Sequence, residues 1–502
     1  MTEGGRITTP PLMVGRTLPR RGGADRRVAW TIASTLVLLS SWDGAARAAD
    51  DTTDATSTST TTSTTANLPP PSYPPKPDAP LPSGQRERAR PEYDGRPDPG
   101  PTVGEALLWV PRVAFSPIYA LTEYVIRKPV GFLVTEVEKA RAWNIFIDFF
   151  TFRDRTIGLI PTFFVQFDLR SSVGLYAFWN DFGAPGNDLR LNFAYGGEQW
   201  WLLSIRNRYR FDDATEGQVG FLFSQRPDQI FAGLGPDLEV EDSSRFLQRT
   251  LAGQLRLRRR VWRQSALQWS ARLENHRFDG RQGGFDDPAL DDAVRLGFFE
   301  RPAGFDRGFT VLAQRLSATG DSRRAELRAS GTGLRSEAYF ELAADLERPD
   351  RTQWMTMGGV LAGFVDVGAN HIFGLSAQVE SQTPLSDGEI PFTERSQAGG
   401  GPFEMAGFTP GLLRGASSFT TTFEYRYPIW VLVDGSVHAS VGNVFGPQLS
   451  GFQADRLRMS LGLGVRSSDR DNPLTVLLAF GTETFEQGGD LQSVRVAFGT
   501  GF

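Results

Sequence analysis

From about Thr156 onward the chain alternates apolar and polar residues with a period of two. Trp201, Leu203, Ile205, Tyr209 and Phe211 share one parity, and Ser204, Arg206, Arg208 and Arg210 share the other. Leu251, Gly253, Leu255 and Leu257 alternate with Gln254, Arg256 and Arg258, and Leu267, Trp269, Ala271 and Leu273 with Gln268, Ser270, Arg272 and Glu274. The pattern returns at Phe419–Ile429 and at Leu457–Arg466. A period of two sends successive side chains to opposite faces of a strand. The alternating segments run about 9–12 residues, longer than the ~5–6 of most soluble strands and suited to tilted membrane strands of ~9–11. No helical pattern intervenes to cover the charged parity. An arginine facing lipid near mid-membrane costs roughly 2–4 kcal/mol, so that parity is expected to line a wet lumen. The reading is all-β: a transmembrane antiparallel β-barrel of about sixteen strands over residues 156–502. Strand limits in 278–335 stay open, because a long loop runs from Asp279 to Asp306.

The N-terminal third has a different pattern. Arg26 and Arg27 precede an apolar run from Val28 to Leu39, and Ala46-Arg47-Ala48 follows as a small-x-small exit. Residues 1–48 therefore read as a secretory signal peptide of the Sec type. Residues 49–103 are rich first in Ser and Thr and then in Pro. They hold too little apolar surface to offset ordering, which predicts a disordered linker. Over 104–155 apolar residues recur at roughly helical spacing (Leu107, Leu108, Val110, Val113, then Leu121, Tyr124, Val125), while Pro111, Pro117 and Pro129 interrupt them. Short amphipathic helices at the periplasmic face are expected, against the barrel mouth or on the inner leaflet.

Composition narrows the chemistry. The balance of 53 Lys+Arg against 58 Asp+Glu gives a net charge of −5 and no basic field for nucleic acid. There is no cysteine, which removes disulfides, thiolate metal sites and a cysteine nucleophile. His276, His371 and His438 are the three histidines. His438 and Ser440 sit two apart on one strand face without a third member of a triad, so no enzyme activity is expected. No cofactor or metal is expected either. Trp200, Trp201, Trp262, Trp269 and Trp430 fall near strand ends or on the apolar parity, as interfacial girdles do.

The last segment, SVRVAFGTGF, ends in mid-alternation with Phe498 and Phe502 on the apolar parity. A closed barrel pairs its last strand with its first, because an open edge in lipid leaves amides unpaired. Phe498 and Phe502 are expected to form the terminal signal of that closing strand. Upstream, Pro391-Phe392, Gly399-Gly400, Arg414-Gly415 and Glu424-Tyr425-Arg426-Tyr427-Pro428 occur in order between Ile372 and Phe445. This set resembles the BamA/TamA-type outer-membrane proteins of the bacterial surface antigen superfamily. The resemblance implies a long extracellular loop folded into the lumen, with Arg414 and Gly415 at its tip. Glu424, Arg426 or Ser440 would hold Arg414, Ser440 standing where the family has an aspartate. Gly415 would supply a backbone conformation or a close approach closed to larger residues. Residues 49–155 offer a tether and broken helices where such proteins carry polypeptide-transport-associated (POTRA) domains, which implies the branch lacking them.

The resemblance implies residence in the bacterial outer membrane and help in inserting or translocating proteins, or lipids, there. Its partners would be outer-membrane lipid, unfolded outer-membrane proteins and periplasmic accessory proteins. The alternative is a passive pore or structural barrel, for which an arginine-rich lumen would favour anions.

Overall fold

The computed structural model describes residues 149–281, 285–323, 331–368, 370–401, 404–430, 433–467 and 474–500. The expected signal peptide and linker and most of the expected amphipathic segment lie outside this set. Phe149 and Phe150 are helical, but Thr151–Phe152 form a short strand that folds back on Ile157 and Gly158. The helical expectation therefore stops short of residue 155: Arg153, Asp154 and Arg155 turn the chain, all at positive φ.

Sixteen strands close into one antiparallel barrel: β1 (Ile157–Gln166), β2 (Ser172–Trp179), β3 (Asn187–Tyr195), β4 (Trp201–Arg210), β5 (Thr215–Phe231), β6 (Ser244–Trp262), β7 (Ser265–Asp279), β8 (Phe309–Asp321), β9 (Gly333–Asp345), β10 (Gln353–Asp366), β11 (Ile372–Pro384), β12 (Ser417–Trp430), β13 (Val433–Phe445), β14 (Arg458–Ser467), β15 (Leu474–Thr484) and β16 (Leu491–Thr500). Each pairs with its neighbour in sequence, and β16 pairs with β1. The open stretch 278–335 resolves into the end of β7, a short helix α1 (Leu290–Leu296) within the long loop, β8 and the start of β9. The connections after odd-numbered strands include the long 280–308 and 385–416. Those after even-numbered strands run from two to eleven residues. Outer-membrane barrels keep short turns in the periplasm and long loops outside, which orients the molecule.

The alternation sorts the two faces as the pattern demands. Leu203, Leu251, Leu255, Leu257, Leu273, Phe423 and Leu461 point outward and are exposed, whereas Thr250, Gln254, Ser270, Arg272, Glu274, Thr422 and Ser460 point inward and are buried. These inward residues also correct the expectation of a wet lumen: its extracellular half is packed. Phe231, Phe246, Leu290, Phe305 and Phe392 form one apolar cluster, and Ile230, Leu238, Met405, Phe408, Leu413 and Val444 belong to another. Both join barrel wall to extracellular loops. Burying each such side chain contributes roughly 1.5–3 kcal/mol.

An arginine in place of Leu255, which lies in the middle of β6 on the outward face, is expected to lower folding stability by about 2–4 kcal/mol. Equilibrium urea unfolding in lipid vesicles measures this directly.

Candidate functional site: a loop folded into the barrel

The connection 385–416 leaves β11, crosses the lumen and returns to β12. At its base, Ser396–Ala398 and Leu413–Gly415 pair as a small antiparallel hairpin, with Gln397 opposite Arg414. Beyond the hairpin the loop reaches the opposite wall. There Ala406 packs on Leu477, Ala479 and Ala497, with Phe164 alongside. A Cβ added to Gly407 would lie 2.3 Å from the Phe480 carbonyl carbon, so only glycine allows the loop backbone to lie flat on β15. The Gly407 amide donates to Ser460 Oγ at 2.8 Å, and its carbonyl accepts from Ser493 Oγ at 2.9 Å.

Arg414 is buried at 3% exposure. Its Nε donates to the Gly411 carbonyl at 2.7 Å, one terminal nitrogen donates to the Phe392 carbonyl at 3.2 Å, and the guanidinium lies over the Phe392 ring. Burial pulls its pKa down to about 10 while the Glu394 carboxylate pulls the other way, so it is cationic at neutral pH. All these partners belong to its own loop. Glu424 and Arg426 instead pair with each other at 2.6 Å on β12, and Ser440 Oγ lies 2.9 Å from Thr422 Oγ1 across β12 and β13. The expected anchors Glu424, Arg426 and Ser440 are thus corrected: they brace neighbouring wall positions, and Arg414 braces the neck of the loop. Gly415 packs against β13, where a Cβ would stand 2.8 Å from the Phe445 carbonyl oxygen.

The wall anchor is Glu394. Its Oε2 accepts from Arg272 of β7 at 2.6 Å, and Arg272 also reaches Glu274 at 2.9 Å and Glu341 of β9 at 3.1 Å. His276 Nε2 lies 3.2 Å from Glu274 and 3.6 Å from Glu394. Glu274, His276 and Glu394 offer three ligand atoms close together, as a metal site would. With one guanidinium bonded to three carboxylates, however, the donor set is already met by a cation of this chain, and the cluster serves to fasten the loop. Sequence reasoning missed Glu394 although it sits inside the motif, between Phe392 and Gly399. Its partners lie more than a hundred residues upstream, and no local pattern marks that pairing.

A second fastening lies at the seam. Arg495 of β16 donates to Gln166 Oε1 of β1 at 3.1 Å and to the loop carbonyls of Gly401 and Ala406 at 3.2 and 3.3 Å. Thr409 Oγ1 donates to Asp168, just past β1, at 3.0 Å, and Asp168 in turn meets buried Arg245 of β6. Phe498 faces outward and its ring lies 5.1 Å from that of Phe163 across the seam. Phe502 lies outside the described residues.

Residues 182–502 match the family described as the Omp85 superfamily domain. No match is found among curated protein sequences. Among solved structures the chain is similar to BamA from Haemophilus ducreyi lacking POTRA domains 1–3. The two share 11% identity over 69% of this chain and 70% of that one, with a TM-score of 0.46. It is also similar to CdiB from Acinetobacter baumannii, with 11% identity over 68% of this chain and 59% of that one and a TM-score of 0.44. The chain thus spans less than two thirds of CdiB.

Replacing Glu394 with Gln is expected to weaken loop docking by about 1–3 kcal/mol, since a charge-assisted bond to buried Arg272 is lost while two other acceptors remain. Limited proteolysis of the protein in vesicles reads this as faster cleavage within 385–416, with the barrel itself intact. Arg414→Ala should free the same loop at its neck, whereas Ser440→Ala should leave cleavage unchanged.

Proposed function

The chain belongs to the Omp85 superfamily, a family of outer-membrane β-barrels of the insertase and transporter kind, and on that footing we propose that it assists the insertion of polypeptides into the outer membrane by opening between β1 and β16. The observation that carries this reading is the seam. Among the described residues β16 and β1 share three registered pairs, Ala497 with Gln166, Phe498 with Val165 and Gly499 with Phe164, against seven to fifteen at every other junction. Beyond those pairs, the Phe167 amide donates to the Val496 carbonyl at 3.2 Å across the same junction. Pro161 of β1, opposite Leu175 of β2, has no amide proton to donate on its other side.

Strand length supports the same reading. β1 to β4 have 8–10 residues and β14 to β16 have 10–11, whereas β5 to β13 have 13–19. Strands of 8–11 residues only just span the apolar band of ~25 Å of an outer-membrane barrel, so the described wall beside the seam is shorter than the wall opposite. A short wall next to a lightly paired junction lowers the barrier to inserting a strand. The proposed partners are unfolded outer-membrane proteins, with periplasmic accessory proteins supplying the capture that POTRA domains give to other barrels.

The test uses the cysteine-free chain. The folding rate of an unrelated outer-membrane protein into liposomes is measured with and without this barrel. Acceleration is expected, and it should be lost when Val165→Cys and Phe498→Cys, register partners across the seam, are joined by oxidation. Reduction should restore it. Equal rates in all arms would remove the insertion reading.

A further inference from the structure

On the outward face of β6 and β7 the apolar pattern stops before the strands do. Trp262 is exposed at the periplasmic end of β6, and Leu257, Leu255 and Leu251 follow it upward, all exposed. Leu251 stands eleven positions up the strand from Trp262. A tilted strand crosses the membrane in ~9–11 residues, so Leu251 lies at the far edge of the hydrocarbon and Arg249 lies above it. On β7 the same order runs from Leu267 through Leu273 to Asn275 and Arg277. The register makes Arg249 and Arg277 direct partners, and the row continues through Gln225 to Trp201 and Tyr195. Tryptophan and tyrosine are the side chains that a membrane–water interface selects. The row therefore sits where the headgroups of the outer leaflet begin.

Two guanidinium groups directly opposite on adjacent strands repel each other. Here they turn apart. Arg249 Nε donates to Gln225 Oε1 at 2.9 Å on one side, and Arg277 donates to Glu347 Oε1 at 2.8 Å on the other. Glu347 also accepts from Thr310 Oγ1 at 2.8 Å, and Asn275 donates to Thr310 Oγ1 at 2.8 Å. Asp279, further along β7, is held by Arg281 at 2.6 and 3.0 Å. Both guanidinium groups of the row stay open to the outside: Arg249 is exposed, and the Arg277 side chain is 43% exposed.

We propose that this row is a binding site for a phosphorylated, sugar-bearing lipid of the outer leaflet. The three parts of such a molecule meet matching chemistry. Exposed Leu251 and Leu273 lie below for acyl chains, the two arginines lie at the level of a phosphate, and Gln225, Asn275 and Thr310 offer amide and hydroxyl groups to sugar hydroxyls. A phosphate received by Arg249 and Arg277 replaces their repulsion with charge-assisted bonds to two forks. Position makes the occupant a lipid, because the bilayer covers this face of a membrane barrel. Such a site fixes the tall side of the barrel in the outer leaflet, and it does not depend on the insertion reading.

The experiment is native mass spectrometry of the full chain, released from detergent micelles that carry increasing amounts of diphosphorylated lipid A or of its dephosphorylated form. The phosphorylated lipid should be retained at a concentration at least about tenfold lower than the dephosphorylated one. Arg249→Gln/Arg277→Gln should weaken its retention by about tenfold. Arg259→Gln, exposed at the periplasmic end of the same strand, should leave it unchanged. Electrophoretic heat-modifiability certifies that the variants fold, and the comparison of the two lipids needs no variant. Equal retention of the two lipids, no loss in the double variant, or an equal loss in Arg259→Gln would each overturn the proposal. Displacement of the lipid by an equal concentration of inorganic phosphate would overturn it too, and would assign the row to free phosphate.

Discussion

Everything in this molecule depends on pairing backbone amides where no water can replace them. In hydrocarbon each unpaired amide or carbonyl costs several kcal/mol, so sixteen strands must close on themselves. Among the described residues closure is generous around most of the ring and lighter at one junction, where three registered pairs join β16 to β1. A barrel this asymmetric needs support at its seam from something other than the ladder. Side chains and one loop supply it: Arg495 bonds Gln166 across the junction and the loop carbonyls behind it, and Thr409 ties the loop to Asp168. The loop therefore works as a strut. One end is fixed by Glu394 to Arg272 on β7, and the far end lies on β14 to β16.

This strut gives the seam a conditional stability. If the loop stays docked, the lumen-side contacts reinforce a junction that the backbone holds weakly. Loosening at the Glu394 anchor would reach the seam through one continuous chain of residues, from Phe392 through the small hairpin to Ala406 and Gly407. The same packing weighs against a passive pore. Phe392, Met405 and Phe408 are wholly buried inside the wall, and steady conduction would have to pass a plug held by apolar burial and by charge-assisted bonds.

The fold was legible in the sequence because a tilted membrane strand has few ways to be written. Alternation at Trp201–Phe211, Leu251–Arg258 and Leu457–Arg466 set both the strand identity and the facing, and the outward exposure of Leu203, Leu255 and Leu461 follows that parity. The folded-in loop was legible only by resemblance. Its motif located Arg414 and Gly415 but misassigned their partners, because the pairing of Arg414 with Phe392 and Gly411 depends on how the loop curls on itself. The true wall anchor joins Glu394 to Arg272, a contact that no periodicity encodes. The wet lumen was half right for a related reason. Alternation says which side chains point inward but not whether a distant loop will cover them.

That division of the lumen has a physical logic of its own. In the upper half Arg272 is matched by Glu274, Glu341 and Glu394, so charge can be buried there. In the lower half Arg190 faces Arg206 on the neighbouring strand, while Arg208 meets Asp188 and Arg258 lies near Glu216. Guanidinium groups set this close together are tolerable where water reaches them, which fits the partial exposure of Arg206, Arg208, Arg256 and Arg258.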